Sequence, residues 1–281
     1  MRFTKAFLFA ARPHTLCVST CSVVIAGAFA YHERVFNLSG FLLSSACLLI
    51  LQAASNCLND YCDFEKGVDR EERVGFTRVM QSGLMTPIVM QQSILSLFFI
   101  AYLLSIPLIL KSPILILLLI SASLIGVFYS AGRRPLGHRA LGELCVFMCF
   151  GPMAVEAVYI SQAHTISYEL LKYSLFPGFW SVFLMGINNY RDINSDRLAG
   201  KFTLAIYLGE DKMRLFCYCI LFLIQVLALL LLPLSAAFFI PVMMYLGYRL
   251  LDKTRANQTL VIACQCSLLH CMLVAYFLLV S

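Results

Sequence analysis

The sequence predicts an all-α fold: a polytopic membrane bundle of about nine transmembrane helices, with two Asp-rich motifs on its cytoplasmic side. Three observations carry that reading. Apolar residues make up 60% of the 281 and charged residues only 13%, the mean hydropathy is +0.83, and the apolar residues come in long runs broken by short polar stretches. A soluble domain of this size carries roughly a quarter charged residues, so the surplus apolar surface needs lipid to face. A single domain over 1–281 is expected, partnered by the lipid bilayer and not by nucleic acid.

Nine segments approach the twenty or so residues that cross a bilayer core: 15–31, 38–58, 92–110, 113–130, 141–161, 173–190, 215–232, 234–250 and 259–280. Proline punctuates them, and Pro152, Pro177 and Pro241 fall inside spans, where a missing N–H predicts kinks. The start, MRFTKAFLFAARPHT, is broken too early by Arg12 and Pro13 for a secretory signal. Of the twelve cysteines ten lie inside or at the ends of apolar runs; Cys57 and Cys62 lie in the stretch 56–69 and form no CxxC pair, so neither a disulfide framework nor a zinc site is expected.

Charge orients the bundle. With nine spans the loops alternate sides, and eighteen of the 21 Lys and Arg fall on the side of the N-terminus, leaving Arg34, Lys111 and Lys172 opposite. The positive-inside rule then places the N-terminus in the cytoplasm and the C-terminus outside, in a cell inner membrane. Twelve of the fifteen acids follow the same split, with Glu33, Glu156 and Glu169 the exceptions. Lipid orientation does not require that, and a face rich in both signs reads as a working surface.

The stretch NCLNDYCDFEKGVD, 56–69, ends the second span. Asn56, Asp60 and Asp63 stand at i, i+4 and i+7, one face of a helix. At 188–196 the pattern returns as NNYRDINSD, with Asn188, Asp192 and Asp196 at i, i+4 and i+8 after the sixth span. A lone Asn/Asp cluster is usually a helix cap or a solvated face. Two with matched spacing, at equivalent points of a charge-poor chain, call for another account. Four aspartates on two facing helix ends repel one another unless cations lie between them. Hard oxygen ligands suit Mg²⁺, which keeps several waters and bridges carboxylates to substrate phosphates. Nearby Lys66, Arg73, Arg78, Arg133, Arg134, Arg139 and Lys201 are candidates for the remaining phosphate oxygens. The constellation reads as a Mg²⁺-diphosphate site at the membrane boundary, suited to a diphosphate head on a lipid tail.

These residues resemble a family. The paired NxxxDxxD and NxxxDxxxD motifs are similar to the signatures of the UbiA superfamily of intramembrane aromatic prenyltransferases, and within it the 1,4-dihydroxy-2-naphthoate polyprenyltransferase branch of menaquinone biosynthesis. ARPHT (11–15), NDYCDFEKGVDREERVG (59–75), PLGHRALGELCVFMCFG (135–151) and NNYRDINSDRLAGKFTLAIYLG (188–209) carry the likeness. One departure is that Phe76 and Thr77 precede Arg78 where that branch tends to read Gly-Pro-x-Arg. The resemblance implies a nine-helix bundle and Mg²⁺-dependent prenyl transfer from a polyprenyl diphosphate to an aromatic acceptor acid, with loss of carbon dioxide in the naphthoate branch. It implies that Asp60, Asp63, Asp192 and Asp196 are catalytic and, with Asn56 and Asn188, hold the metal. It also implies that Arg12 contacts the acceptor carboxylate and that Glu143 contributes to the acceptor pocket.

Tyr61, Tyr129 and Tyr190 are candidates for the acceptor side of the site and for stabilising an allylic cation through their π faces, against the commoner role of tyrosine as a membrane-interface marker. Arg12, Arg133 and Arg134 serve topology on the simpler reading. Competing functions are a transporter, which the partial repeat would suit, and the same fold acting on 4-hydroxybenzoate or 1,4-dihydroxy-6-naphthoate.

Overall fold

The computed structural model describes residues 2–67 and 78–280. Among the described residues the regular structure is all helical: α1 (Arg2–Ala11), α2 (Cys17–His32), α3 (Leu38–Glu65), α4 (Pro87–Lys111), α5 (Ile114–Ser130), α6 (Gly142–Met148), α7 (Ala154–Ala163), α8 (Tyr168–Leu198), α9 (Leu204–Leu208), α10 (Glu210–Leu231), α11 (Pro233–Arg249) and α12 (Ala256–Val280).

The starts follow from side chains that satisfy the orphan N–H groups of a first turn. Asn37 Oδ1 accepts from Gly40 N at 2.8 Å to open α3, and Ser167 Oγ accepts from Leu170 N at 3.2 Å to open α8. Thr86 caps α4 ahead of a proline at its first position, and Pro233 likewise opens α11. Among the described residues seven helical segments are long and apolar enough to cross a membrane. The expected nine spans all fall on helix, but α5 and α11 have 17 residues each, short of the usual crossing length.

Pro152 breaks its span as expected. Cys149–Met153 forms a π-type turn between α6 and α7, with Gly151 at the non-helical angles φ −86°, ψ −109°. Pro107, Pro177 and Pro241 stay inside continuous helices. Two ends differ from the sequence reading in a way that matters. α3 runs to Glu65 instead of 58, and α8 runs to Leu198 instead of 190. Both motifs therefore sit on unbroken helix that continues the membrane segment.

α2 and α8 are the central helices: 61% and 67% of their apolar windows are buried inside the protein, against 22% for α4. The main core gathers α2, α7, α8, α10, α11 and α12 around Trp180, Phe176 and Phe183. A smaller core joins Ala6 and Ala10 of α1 to Cys57 of α3 and to Met90 and Ile94 of α4. His270 belongs to the main core, where it receives a hydrogen bond from Trp180 Nε1 at 3.2 Å and stacks on Phe239.

Candidate active site

The first motif is built where α3 leaves the apolar core. Asn56 turns its amide toward the chain entry, donating to Ala11 O at 2.8 Å and to Thr15 Oγ1 at 3.1 Å. Asp60 Oδ2 accepts from the backbone N–H of Val79 at 3.0 Å. Asp63 Oδ2 is held by Arg78 at 2.9 Å and by Lys201 at 3.3 Å. Asp60, Asp63 and Arg78 are all buried, so these are charge-assisted contacts in a low-dielectric setting. Asn59, one turn inside the same helix, ties the group together. Its Oδ1 accepts from Arg12 at 3.1 Å and Arg78 at 2.9 Å, and its Nδ2 donates to Ser130 Oγ at the end of α5.

The second motif lies at the end of α8. Asp192 is gripped by its neighbour Arg191 through two hydrogen bonds, Nε at 2.7 Å and Nη2 at 2.6 Å, while Arg191 Nη1 reaches Asn257 of α12 at 2.8 Å. Past α8, Gly200 adopts φ +70°, a left-handed turn that glycine enters without a Cβ clash. Lys201 N then bonds back to Asp196 O at 3.0 Å. That turn delivers Lys201 Nζ to 3.7 Å from Asp196 and 3.3 Å from Asp63. One ammonium group therefore touches a carboxylate from each motif, and residues 133 apart in sequence share a single charge.

The donor set fits a hard divalent cation: four carboxylates and two amides, all oxygen ligands. Among the described residues no three His, Cys, Asp or Glu side chains converge on one point. An ion here would take one or two carboxylates from the protein and complete its shell with phosphate oxygens and water, which is the usual habit of Mg²⁺.

The remaining expected residues divide. Glu143 is buried in the first turn of α6, with Oε1 accepting from Asn189 Nδ2 at 2.7 Å and Oε2 buried without a hydrogen-bond partner. It thus stands beside the second motif. Tyr129 reaches α8 as well, donating to Met185 Sδ at 3.4 Å. Its ring lies so close to Gly137 that a Cβ there would sit 3.1 Å from it. Asn188 is half-buried on α8.

Tyr61 and Tyr190 are not brought to the carboxylates. Tyr61 accepts a hydrogen bond from Gln91 on α4, and Tyr190 lies beneath Lys253 at 5.3 Å, between α8 and the segment that starts α12. Arg133, Arg134 and Arg139 are exposed and line a recess of their own. Arg73 and the Phe76–Thr77 departure lie outside the described residues. His138, on the loop between α5 and α6, has its pKa pushed down to about 4, first by burial and then by the Lys201 ammonium. The sequence reading missed Asn59, Asn189 and Arg191. All three lie inside the motif segments, and only spatial neighbours reveal what they hold.

The membrane helix bundle brings its two Asn/Asp motifs to one shared lysine, and comparison with known families defines the class as a membrane prenyltransferase. The UbiA prenyltransferase family matches residues 20–277, and the chain belongs to that family. It is an integral membrane enzyme. The 1,4-dihydroxy-2-naphthoate octaprenyltransferase of Escherichia coli (strain K12) is 33% identical over 225 residues, covering 78% of this chain and 73% of that relative. The protein of the same description from Haemophilus influenzae is 34% identical over 234 residues, covering 78% and 74%. Among solved structures, a UbiA homologue from Archaeoglobus fulgidus bound to GPP and Mg²⁺ superposes with a TM-score of 0.69 at 14% identity, over 98% of this chain and 100% of that one. That likeness establishes the shared fold.

Proposed function

We propose that this enzyme transfers a polyprenyl group from a polyprenyl diphosphate to 1,4-dihydroxy-2-naphthoate, releasing carbon dioxide and giving the 2-polyprenyl-1,4-dihydroxynaphthalene, the quinol form of a demethylmenaquinone. The observation that carries the reading is Lys201, which joins Asp63 and Asp196 and so makes one site of the two motifs. The similarity to the two naphthoate octaprenyltransferases favours this acceptor.

Asn56, Asp60, Asp63, Asn188, Asp192 and Asp196 would hold Mg²⁺, which supplies charge neutralisation of the diphosphate leaving group when bound. Arg78 and Lys201, already at Asp63, are placed to turn toward phosphate oxygens once the carboxylates have other partners. Neutralising the leaving group lets the allylic C–O bond break, with the electron pair departing on the diphosphate. The electron-rich ring forms the new C–C bond at the carbon that bears the carboxylate, and loss of carbon dioxide returns an electron pair to the ring. Fixed charges aimed at the leaving group act most strongly where water is excluded, as the burial of all four aspartates provides. Arg12, which donates to Asn59, would contact the acceptor carboxylate, with Glu143 and Tyr129 on the side toward α6 and α5. On this reading the face opens to the cytoplasm of a cell inner membrane, which the charge asymmetry of the loops supports.

The test is incubation of purified protein with Mg²⁺, a polyprenyl diphosphate and three acceptors: 1,4-dihydroxy-2-naphthoate, 1,4-dihydroxy-6-naphthoate and 4-hydroxybenzoate. Prenylated, decarboxylated product from the first alone is the expected result. Product only from another acceptor would move the assignment to that ring. No product from any, together with solute movement across vesicles, would make the protein a transporter.

A further inference from the structure

The loop that links α5 to α6 carries a recess of about 840 Å³ whose lining includes Arg133, Arg134, Arg139, Phe128 and Leu136. None of the carboxylates of the two motifs lines it. Arg78, Arg191 and Lys201 are committed to buried aspartates. Arg133, Arg134 and Arg139 instead are exposed, and among the described residues no carboxylate pairs with them. The loop beneath them is built: Pro135 is buried, and Ala140 N donates to Phe202 O at 2.8 Å.

The recess also continues into an apolar surface. Leu117, Ile120, Leu124 and Phe128 succeed one another at i, i+3, i+7 and i+11 along α5, and all four are exposed. That spacing puts them on one helical face, a stripe that climbs the span and ends at the three guanidinium groups. A planar fork of donors matches phosphate oxygens, and an apolar stripe at membrane depth matches acyl chains. We propose that this surface is a binding site for an anionic phospholipid, with its phosphate headgroup in the arginine recess and an acyl chain along the α5 stripe, separate from the carboxylate site.

Native mass spectrometry of delipidated protein tests this directly, with phosphatidylglycerol and phosphatidylcholine as probes. Each basic side chain near an anionic headgroup contributes roughly fivefold in affinity. Phosphatidylglycerol is therefore expected to stay on the wild type and to be lost by about a hundredfold in R133Q/R134Q/R139Q, while phosphatidylcholine does not distinguish the two proteins. If removing three charges disturbs insertion, R134Q/R139Q replaces the triple variant, with a smaller loss expected in the same direction. Equal retention by wild type and variant, or equal retention of the two lipids by the wild type, would overturn the proposal. Two competitors complete the test. Geranylgeranyl diphosphate with Mg²⁺ should bind alongside the phospholipid, whereas displacement would assign the recess to the prenyl substrate. Inorganic phosphate should leave the lipid in place, and displacement by it would reduce the site to one for small anions. Either displacement overturns the assignment.

Discussion

Lys201→Gln isolates the contact on which the two motifs meet. Lys201 Nζ lies 3.3 Å from Asp63 and 3.7 Å from Asp196, and its side chain is only 11% exposed. At these distances each contact carries about 5 kcal/mol of gross attraction for an effective dielectric near 20, most of it offset by desolvation. Truncating one partner of a buried pair costs about 3–5 kcal/mol. Asp63 keeps Arg78, so the low end applies, about 3 kcal/mol, or a fall in Tm of roughly 6–12 °C. Thermal unfolding in detergent, followed by tryptophan fluorescence with and without Mg²⁺, reads both halves of the argument. The variant should melt lower without the ion and should gain more from Mg²⁺ than the wild type does, because two carboxylates have lost the ammonium that competes with the metal. A Tm within about 1 °C of the wild type, or an equal response of both proteins to Mg²⁺, would refute the claim that Lys201 links the two motifs and competes with the metal.

Further outcomes follow from the same geometry. Asp60→Asn and Asp192→Asn should each lower prenyl transfer by at least about a hundredfold while the protein still inserts, as membrane fractionation with a product assay would establish; near-normal rates in both would remove the metal assignment. Asn189→Ala takes from Glu143 its 2.7 Å donor and should cost roughly 2 kcal/mol, the scale of a hydrogen bond to a charged group, read as a lowered Tm. His138 has its pKa lowered to about 4 by burial and Lys201. Its neutral form belongs to the fold, so its contribution is complete above the unfolded value near 6.5 and is lost as the pH falls toward 4. Melting curves between pH 7 and pH 4 should flatten in His138→Gln. Gly151→Ala should destabilise by about 1–3 kcal/mol, because the added Cβ would lie 3.0 Å from Gly178 Cα and from Ser174 O, backbone atoms that cannot rotate away.

The bundle and its two motifs were legible because they rest on one-dimensional signals: long apolar runs, and polar residues repeating on one helical face. The tyrosines show where that reading stops short of its own logic. Tyr61 follows Asp60 by one residue, a turn of about 100° around the helix, and so faces α4. Tyr190 precedes Asp192 by two, about 200° around, and faces the start of α12. The helical wheel applied to the aspartates turns both rings off the carboxylate face. Arg191 could not be found that way, since it is also off the Asp192 face; its long side chain folds back over one residue to grip the carboxylate. Asn59 needed its partners from the junction of α1 and α2, from α5 and from the loop before α4, which sequence spacing does not supply. The ends of α3 and α8 were set too early because apolar periodicity fades where the polar motifs begin, although the backbone there remains helical.

The close approach of Gly151 to Gly178 sets a limit on how the site can vary. With no Cβ on either residue, the broken turn between α6 and α7 lies directly on the α8 backbone. Eleven residues further along α8, roughly 16 Å at 1.5 Å per residue, Asn189 fastens to Glu143. α8 is thereby pinned to the same neighbour at two heights, which fixes both its depth and its rotation. Sliding α8 by one residue would move the second motif by only about 1.5 Å but would turn it about 100° around the axis, taking Asp196 away from Lys201. In this chain the eleven residues from Gly178 to Asn189 therefore work as a ruler that holds the second motif to the height of Glu143.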